Sequence, residues 1–338
     1  MDEANSYIDR LFELLLQAFE LKESGLNILE DSLWFIDKII EKTTNQEEIN
    51  TFSLIREAVE SWIQSIRIRS KMERVTSYSP PETTLWKEAA KTLGSQKNEK
   101  LAELTLAINN LREAENSLMI DDPERAITLY SEAEETLEKL GKKAALTARR
   151  RRLNIQAEIL YTKQEFEKAA ELYFQIAEII EKTGFQDKEP ALIRAHELLV
   201  IYEGSKENWK KVSEHQTEIA KLLRATDQEE KALIAEYYAY SASARNAEEQ
   251  KDWNLAAENH LKASEILQII GSPVSALYAK LNYHICREKA ERKSTDWLNE
   301  AEKLVEKART ERETNPKDLE NKAKEILAQI EQEKPNKT

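Results

Sequence analysis

The chain has 338 residues, 41% hydrophobic and 33% charged, with only 6 Gly and 7 Pro and a formal net charge of −13 at pH 7. So little glycine, against an average of about 7%, disfavours phosphate-cradling loops, β-hairpin proteins and doubly wound α/β enzymes. The 63 acidic side chains against 50 basic ones disfavour nucleic-acid binding, which needs a basic excess on one face. High charge with few helix breakers is the composition of helical repeats, and 6 Trp, 11 Tyr and 7 Phe argue against disorder.

The opening Met1-Asp2-Glu3 lacks the basic start of a signal peptide, and no apolar run reads as a membrane span. The single cysteine, Cys286, excludes an intrachain disulfide and fits a reducing compartment. The expectation is a cytoplasmic protein.

Residues 1–76 read as an N-terminal three-helix module or a solenoid cap. Ile8, Leu11, Leu15, Ala18, Phe19 and Lys22 mark a first amphipathic helix, Leu29, Leu33, Ile36 and Ile40 a second, and Ile49, Phe52, Ile55, Val59, Trp62 and Ile66 a third. Gly25 and Thr43-Thr-Asn-Gln46 separate them. Leu14, Leu15, Leu16 and Phe19 make the first helix apolar over more than one face. That is explained either by burial between its neighbours or by a docking or dimer contact. The adjacent prolines of Ser77-Tyr-Ser-Pro80-Pro81-Glu82 force extended backbone and predict a linker over 77–82. A short helix with Leu85, Trp86, Ala89, Ala90 and Leu93, ending at Gly94, follows.

Repeats occupy 83–313. Trp209, Trp253 and Trp297 are spaced 44 and 44, and steps of 43 back from Trp209 reach Phe166 and Pro123. The segment Pro123-Glu-Arg-Ala126-Ile-Thr-Leu-Tyr130-Ser-Glu-Ala133 aligns with Phe166-Glu-Lys-Ala169-Ala-Glu-Leu-Tyr173, and Gly141, Gly184 and Gly271 close three units. Each unit reads as two helices. The second carries the stripe Phe166, Ala169, Tyr173, Ile176, Ala177 and Ile180 and ends at a left-handed glycine. One pair cannot bury its stripe alone, so about five pairs stack into an all-α, right-handed α-α superhelix. Asn315-Pro316 starts a capping helix over 314–333, and 334–338 is a tail. Asp122 before Pro123 reads as a helix N-cap.

The pattern of a small residue in the first helix (Ala157, Ala244), then aromatic-x-x-Ala, an aromatic four later and Ala three after that resembles the tetratricopeptide (TPR) family. The period is 43–44 residues against the family's usual ~34, and Gly replaces the Pro after the second helix. The longer helices are similar to the soluble NSF attachment protein (SNAP) branch, notably in Asp252-Trp-Asn-Leu-Ala-Ala-Glu-Asn-His-Leu-Lys-Ala-Ser264. The resemblance implies a non-enzymatic scaffold or adaptor without cofactor. Its concave groove, lined by the first helix of each pair, would bind an acidic peptide or a helical bundle of a partner protein. Carrying the family register onto this chain assigns Arg151, Asn154, Glu158, Tyr161, Tyr238, Ser241 and Arg245 to that groove. A peptide-responsive sensor, with the repeats coupled to the N-terminal helices, is the alternative.

Two basic stretches stand out: Arg149-Arg150-Arg151-Arg152, and Arg67, Arg69, Lys71 and Arg74. Each either pairs internally with surplus Glu or captures an acidic partner or a peripheral lipid headgroup. In the run of four, Arg150 is expected along the apolar stripe and Arg151 outward. His196, His215, His260 and His284 have no partner at metal spacing, and His260 takes the register position of Tyr173 and Gln216. Cys286 and His284 point about 200° apart on a helix. Neither a metal site nor catalysis is expected.

Overall fold

The computed structural model describes residues 2–21, 25–69, 82–95, 98–184, 187–291, 296–310 and 316–333. Among them are fifteen helices and no strand. They are α1 (Asp2–Leu21), α2 (Leu26–Lys42), α3 (Gln46–Arg69), α4 (Glu82–Ser95), α5 (Glu99–Met119), α6 (Pro123–Lys139), α7 (Ala144–Thr162) and α8 (Phe166–Thr183), followed by α9 (Glu189–Ser205), α10 (Trp209–Ala225), α11 (Glu229–Glu249), α12 (Trp253–Ile269), α13 (Pro273–Glu291), α14 (Asp296–Thr310) and α15 (Pro316–Glu333). The expected linker, apart from Glu82 at the start of α4, and the tail 334–338 lie outside the described residues. None of the described helices is long and apolar enough to cross a membrane.

The second helices begin at Pro123, Phe166, Trp209 and Trp253, and Trp297 is the second residue of α14. Turn geometry recurs with the same period. Asp121, Gln164, Glu207 and Lys251, each two residues before a second helix, have φ of 60°, 60°, 58° and 59°. After the second helices, Gly141, Gly184, Asp227 and Gly271 have φ of 64°, 67°, 56° and 74°. Most of these ends close by a backbone N–H reaching the carbonyl five residues earlier, as Glu165 N donates to Leu160 O at 2.9 Å and Gln228 N to Leu223 O at 2.9 Å. This bond satisfies carbonyls that the helix end would otherwise leave unpaired. The Asp122 side chain accepts from Arg125 N at 3.1 Å, so the N-cap is as expected, and Asp252 repeats it on Leu255 N at 3.2 Å.

The chain divides into two compact units: Met1–Ile159 with Glu178–Gln186, and Leu160–Ala177 with Asp187–Thr338. In the first, each helix from α1 to α5 packs on the next, and α1 also meets α5. One continuous core runs from Leu11, Leu15 and Phe19 through Ile55 and Trp62 to Trp86, Leu111, Tyr130 and Ala148. The three N-terminal helices therefore share their core with α4–α7, and Leu14, Leu15, Leu16 and Phe19 are all buried. Gly25 permits the close approach of α2 to α1, since a Cβ there would lie 2.6 Å from the Ala18 carbonyl oxygen.

The second unit is built differently. Consecutive helices from α9 to α15 pack on one another, but the interior breaks into small, alanine-rich clusters. One joins Ile219, Ala220 and Leu223 to Ala232 and Ala235, another Ala263 and Leu267 to Ala276 and Ala279. Cores confined to neighbouring helices are what a stacked repeat produces. A cation of the first helix stacks on the aromatic that opens the preceding second helix: Arg245 lies 4.7 Å from the Trp209 ring centre and Lys289 4.9 Å from that of Trp253. The α15 helix closes this unit through Ala323, Ile326, Leu327 and Ile330 against Trp297, Ala301 and Leu281.

Candidate functional site

The basic run of α7 is engaged inside the first unit. Arg149 Nε lies 2.6 Å from Glu134 Oε1, and Arg152 Nη2 lies 2.9 Å from Glu134 Oε2. The outward placement of Arg151 is corrected: the residue is only 8% exposed. Its guanidinium pairs with Glu115, donates to the Phe19 carbonyl and stacks 3.9 Å from the Phe19 ring centre. Glu115 also binds Arg112, which is buried over Trp62 at 4.5 Å. The physical reason is charge compensation, because a guanidinium can face the core when a carboxylate and a carbonyl meet its N–H groups. Burial, then the Glu115 charge, pushes the nearby Tyr130 phenol up to about 12. Asn154 and Glu158 are exposed on the same helix. Arg67 pairs with Glu30 at 2.6 Å. Arg69 ends α3, but its side chain, together with Lys71 and Arg74, lies outside the described residues.

In the second unit, folding gathers two of the expected groove residues. Ser241 and Arg245 line a cavity of about 400 Å³, with Tyr237 of α11, His260 of α12, and Tyr278 and Asn282 of α13. Arg245 is exposed, positioned by Trp209, and no ion pair engages it among the described residues. Tyr238 is 52% exposed and Ile234, one turn earlier, 38%. The rings of Tyr237 and Tyr238 are 5.0 Å apart. Tyr161 is exposed, set edge-on to Phe166, with the Arg194 guanidinium 4.9 Å from its ring centre.

Three of the four histidines fall into groups that sequence spacing does not show. His196 Nδ1 and His215 Nδ1 lie 3.2 Å apart between α9 and α10, and Phe174 meets His196 edge-on. Burial, then the charge of its partner, lowers the His196 pKa; burial, against the opposing pull of Glu203, lowers that of His215. His260 is buried as its register position requires, but its Nε2 lies 2.8 Å from Glu248 Oε1. Cys286 Sγ is 3.8 Å from the same oxygen. No protein-family model matches the chain, and no curated protein does.

Proposed function

We propose that the protein is a non-enzymatic scaffold or adaptor of the cytoplasm, TPR-like and in its sharper form SNAP-like, that takes an acidic segment of a partner protein on the face of α11 and α13. The observation that carries this reading is the cavity of about 400 Å³ beside an exposed arginine that meets no carboxylate among the described residues. Helical repeats use such extended faces for binding. Arg245 clamps a carboxylate, its approach angle held by the Trp209 stack. Ser241 and Asn282 supply hydrogen bonds, and Tyr238 with Ile234 gives an amphipathic anchor at the rim. Tyr161 offers a second aromatic contact on α7.

The test is fluorescence anisotropy of the full chain with a library of short acidic and neutral peptides. Acidic sequences are expected to bind, with affinity falling as salt rises. Arg245→Glu abolishes that binding while the far-ultraviolet dichroism stays that of the folded protein. Equal binding by the folded Arg245→Glu protein, or no preference for acidic peptides, rejects the reading.

A further inference from the structure

Glu248, His260 and Cys286 come from three different helices, α11, α12 and α13. Their ligand atoms nevertheless lie within 4.8 Å of one another. Cys286 and His260 are 2% and 6% exposed. Four tetrahedral donors around zinc, at about 2.0–2.3 Å, are about 3.3–3.8 Å apart. The two separations from Glu248, 2.8 Å to His260 and 3.8 Å to Cys286, and the 4.8 Å limit on all three pairs need changes of about half to one ångström.

Packing does not call for these residue types. One and two periods earlier, the His260 position is Gln216 and Tyr173, the Glu248 position Gly204 and Tyr161, and the Cys286 position Ala242 and Leu198. Each earlier position carries an uncharged residue, so the stack forms without a thiol, an imidazole or a carboxylate there. Three separate departures from the register converge on one point. They also supply one sulfur, one nitrogen and one oxygen donor, the set that suits zinc and excludes magnesium and calcium.

We propose that Glu248 Oε1, His260 Nε2 and Cys286 Sγ form a site for a zinc-class divalent cation. Binding breaks the Glu248–His260 hydrogen bond: the proton shared there leaves Nε2, the neutral imidazole keeping its one proton on Nδ1, and the Nε2 and Oε1 lone pairs turn to the ion. The Cys286 thiol gives its proton to solvent and coordinates as thiolate. Thiolate and carboxylate together cancel the two positive charges, which lets the ion rest against the apolar wall of Ala247, Ala256 and Ala257. Water completes the tetrahedron as the fourth ligand.

The full chain, freed of metal with a chelator, is titrated with Co²⁺. One equivalent should produce the d–d absorption of a four-coordinate ion together with a thiolate-to-cobalt charge-transfer band, both bleached by Zn²⁺. Cys286→Ser removes the charge-transfer band, and His260→Gln weakens binding by at least about tenfold, whereas His215→Gln leaves both unchanged. In the unaltered protein, saturating Zn²⁺ should slow labelling of Cys286 by a thiol reagent at least about tenfold, so the proposal stands or falls even if a variant does not fold. An unprotected thiol, a charge-transfer band that survives Cys286→Ser, or a sulfur-free cobalt signal lost in His215→Gln overturns it.

Discussion

Glu115 balances two buried guanidinium groups, Arg112 and Arg151, and both of its partners stack on aromatic rings. Replacing it with Gln keeps the shape and removes the charge, leaving two cations in the core of the first unit. Breaking a buried pair in this way costs about 3–5 kcal/mol, so Glu115→Gln should lower the denaturant midpoint markedly. Glu135→Gln, at a fully exposed pair with Lys139, should leave it where it is. Equal midpoints for the two variants would show that the Glu115 network contributes little. The inward turn of Arg151 was not legible in the sequence, because its carboxylate sits 36 residues away and a run of four arginines offers no sign of which one is compensated. The convergence of Glu248, His260 and Cys286 was hidden for the same reason. Their separations of 12, 26 and 38 residues follow from the stacking of three helices and match no local ligand spacing.

Between elements, the register was legible wherever a bulky or a special residue marks it. Trp209, Trp253 and Trp297 announce the second helices, and Gly141, Gly184 and Gly271 announce their ends. The gap at 227 was not legible, since Asp227 holds a φ of 56° in the conformation that glycine holds elsewhere. Asp adopts it more readily than most side chains, and Gln164, Glu207 and Lys251 adopt it in the other turns. The seam between α9 and α10 carries a prediction of its own. His196 and His215 both have pKa values lowered from the ordinary 6.5. The unfolded chain therefore takes up protons first as pH falls. Stability is complete above the ordinary histidine pKa and is lost below about pH 6.5, as protonation of the unfolded state draws the equilibrium. Glu203, Glu214 and Glu218 oppose the shift of His215 and Lys211 reinforces it. Carboxylates that are themselves stabilised, such as Glu203, whose burial is outweighed by hydrogen bonds from Lys211 and Asn208, titrate at lower pH, so the window from about pH 6.5 to 5 belongs to the imidazoles. Denaturant midpoints of the second unit should fall across that window in the natural chain and fall less in His196→Gln. An unchanged slope in the variant would refute the assignment.

Over the whole chain, the all-helical architecture and the starts of the second helices at Phe166, Trp209 and Trp253 were readable from periodicity, whereas the division into two compact units was not. The division passes through the middle of helices: α7 gives its last residues, from Leu160, to the second unit, and α8 gives residues up to Ala177 to the second and those from Glu178 to the first. Amide hydrogen exchange at low denaturant should therefore show a step within α8. Protection at 178–183 follows that of the first unit, and protection at 166–177 follows that of the second. Exchange of α8 as one block would mean that the two units do not open separately. The interleaving also constrains descent. The backbone crosses between units after Ile159, Ala177 and Gln186, so a cut at any single point leaves at least one unit short of a segment. A single recombination junction therefore cannot hand on either compact unit intact.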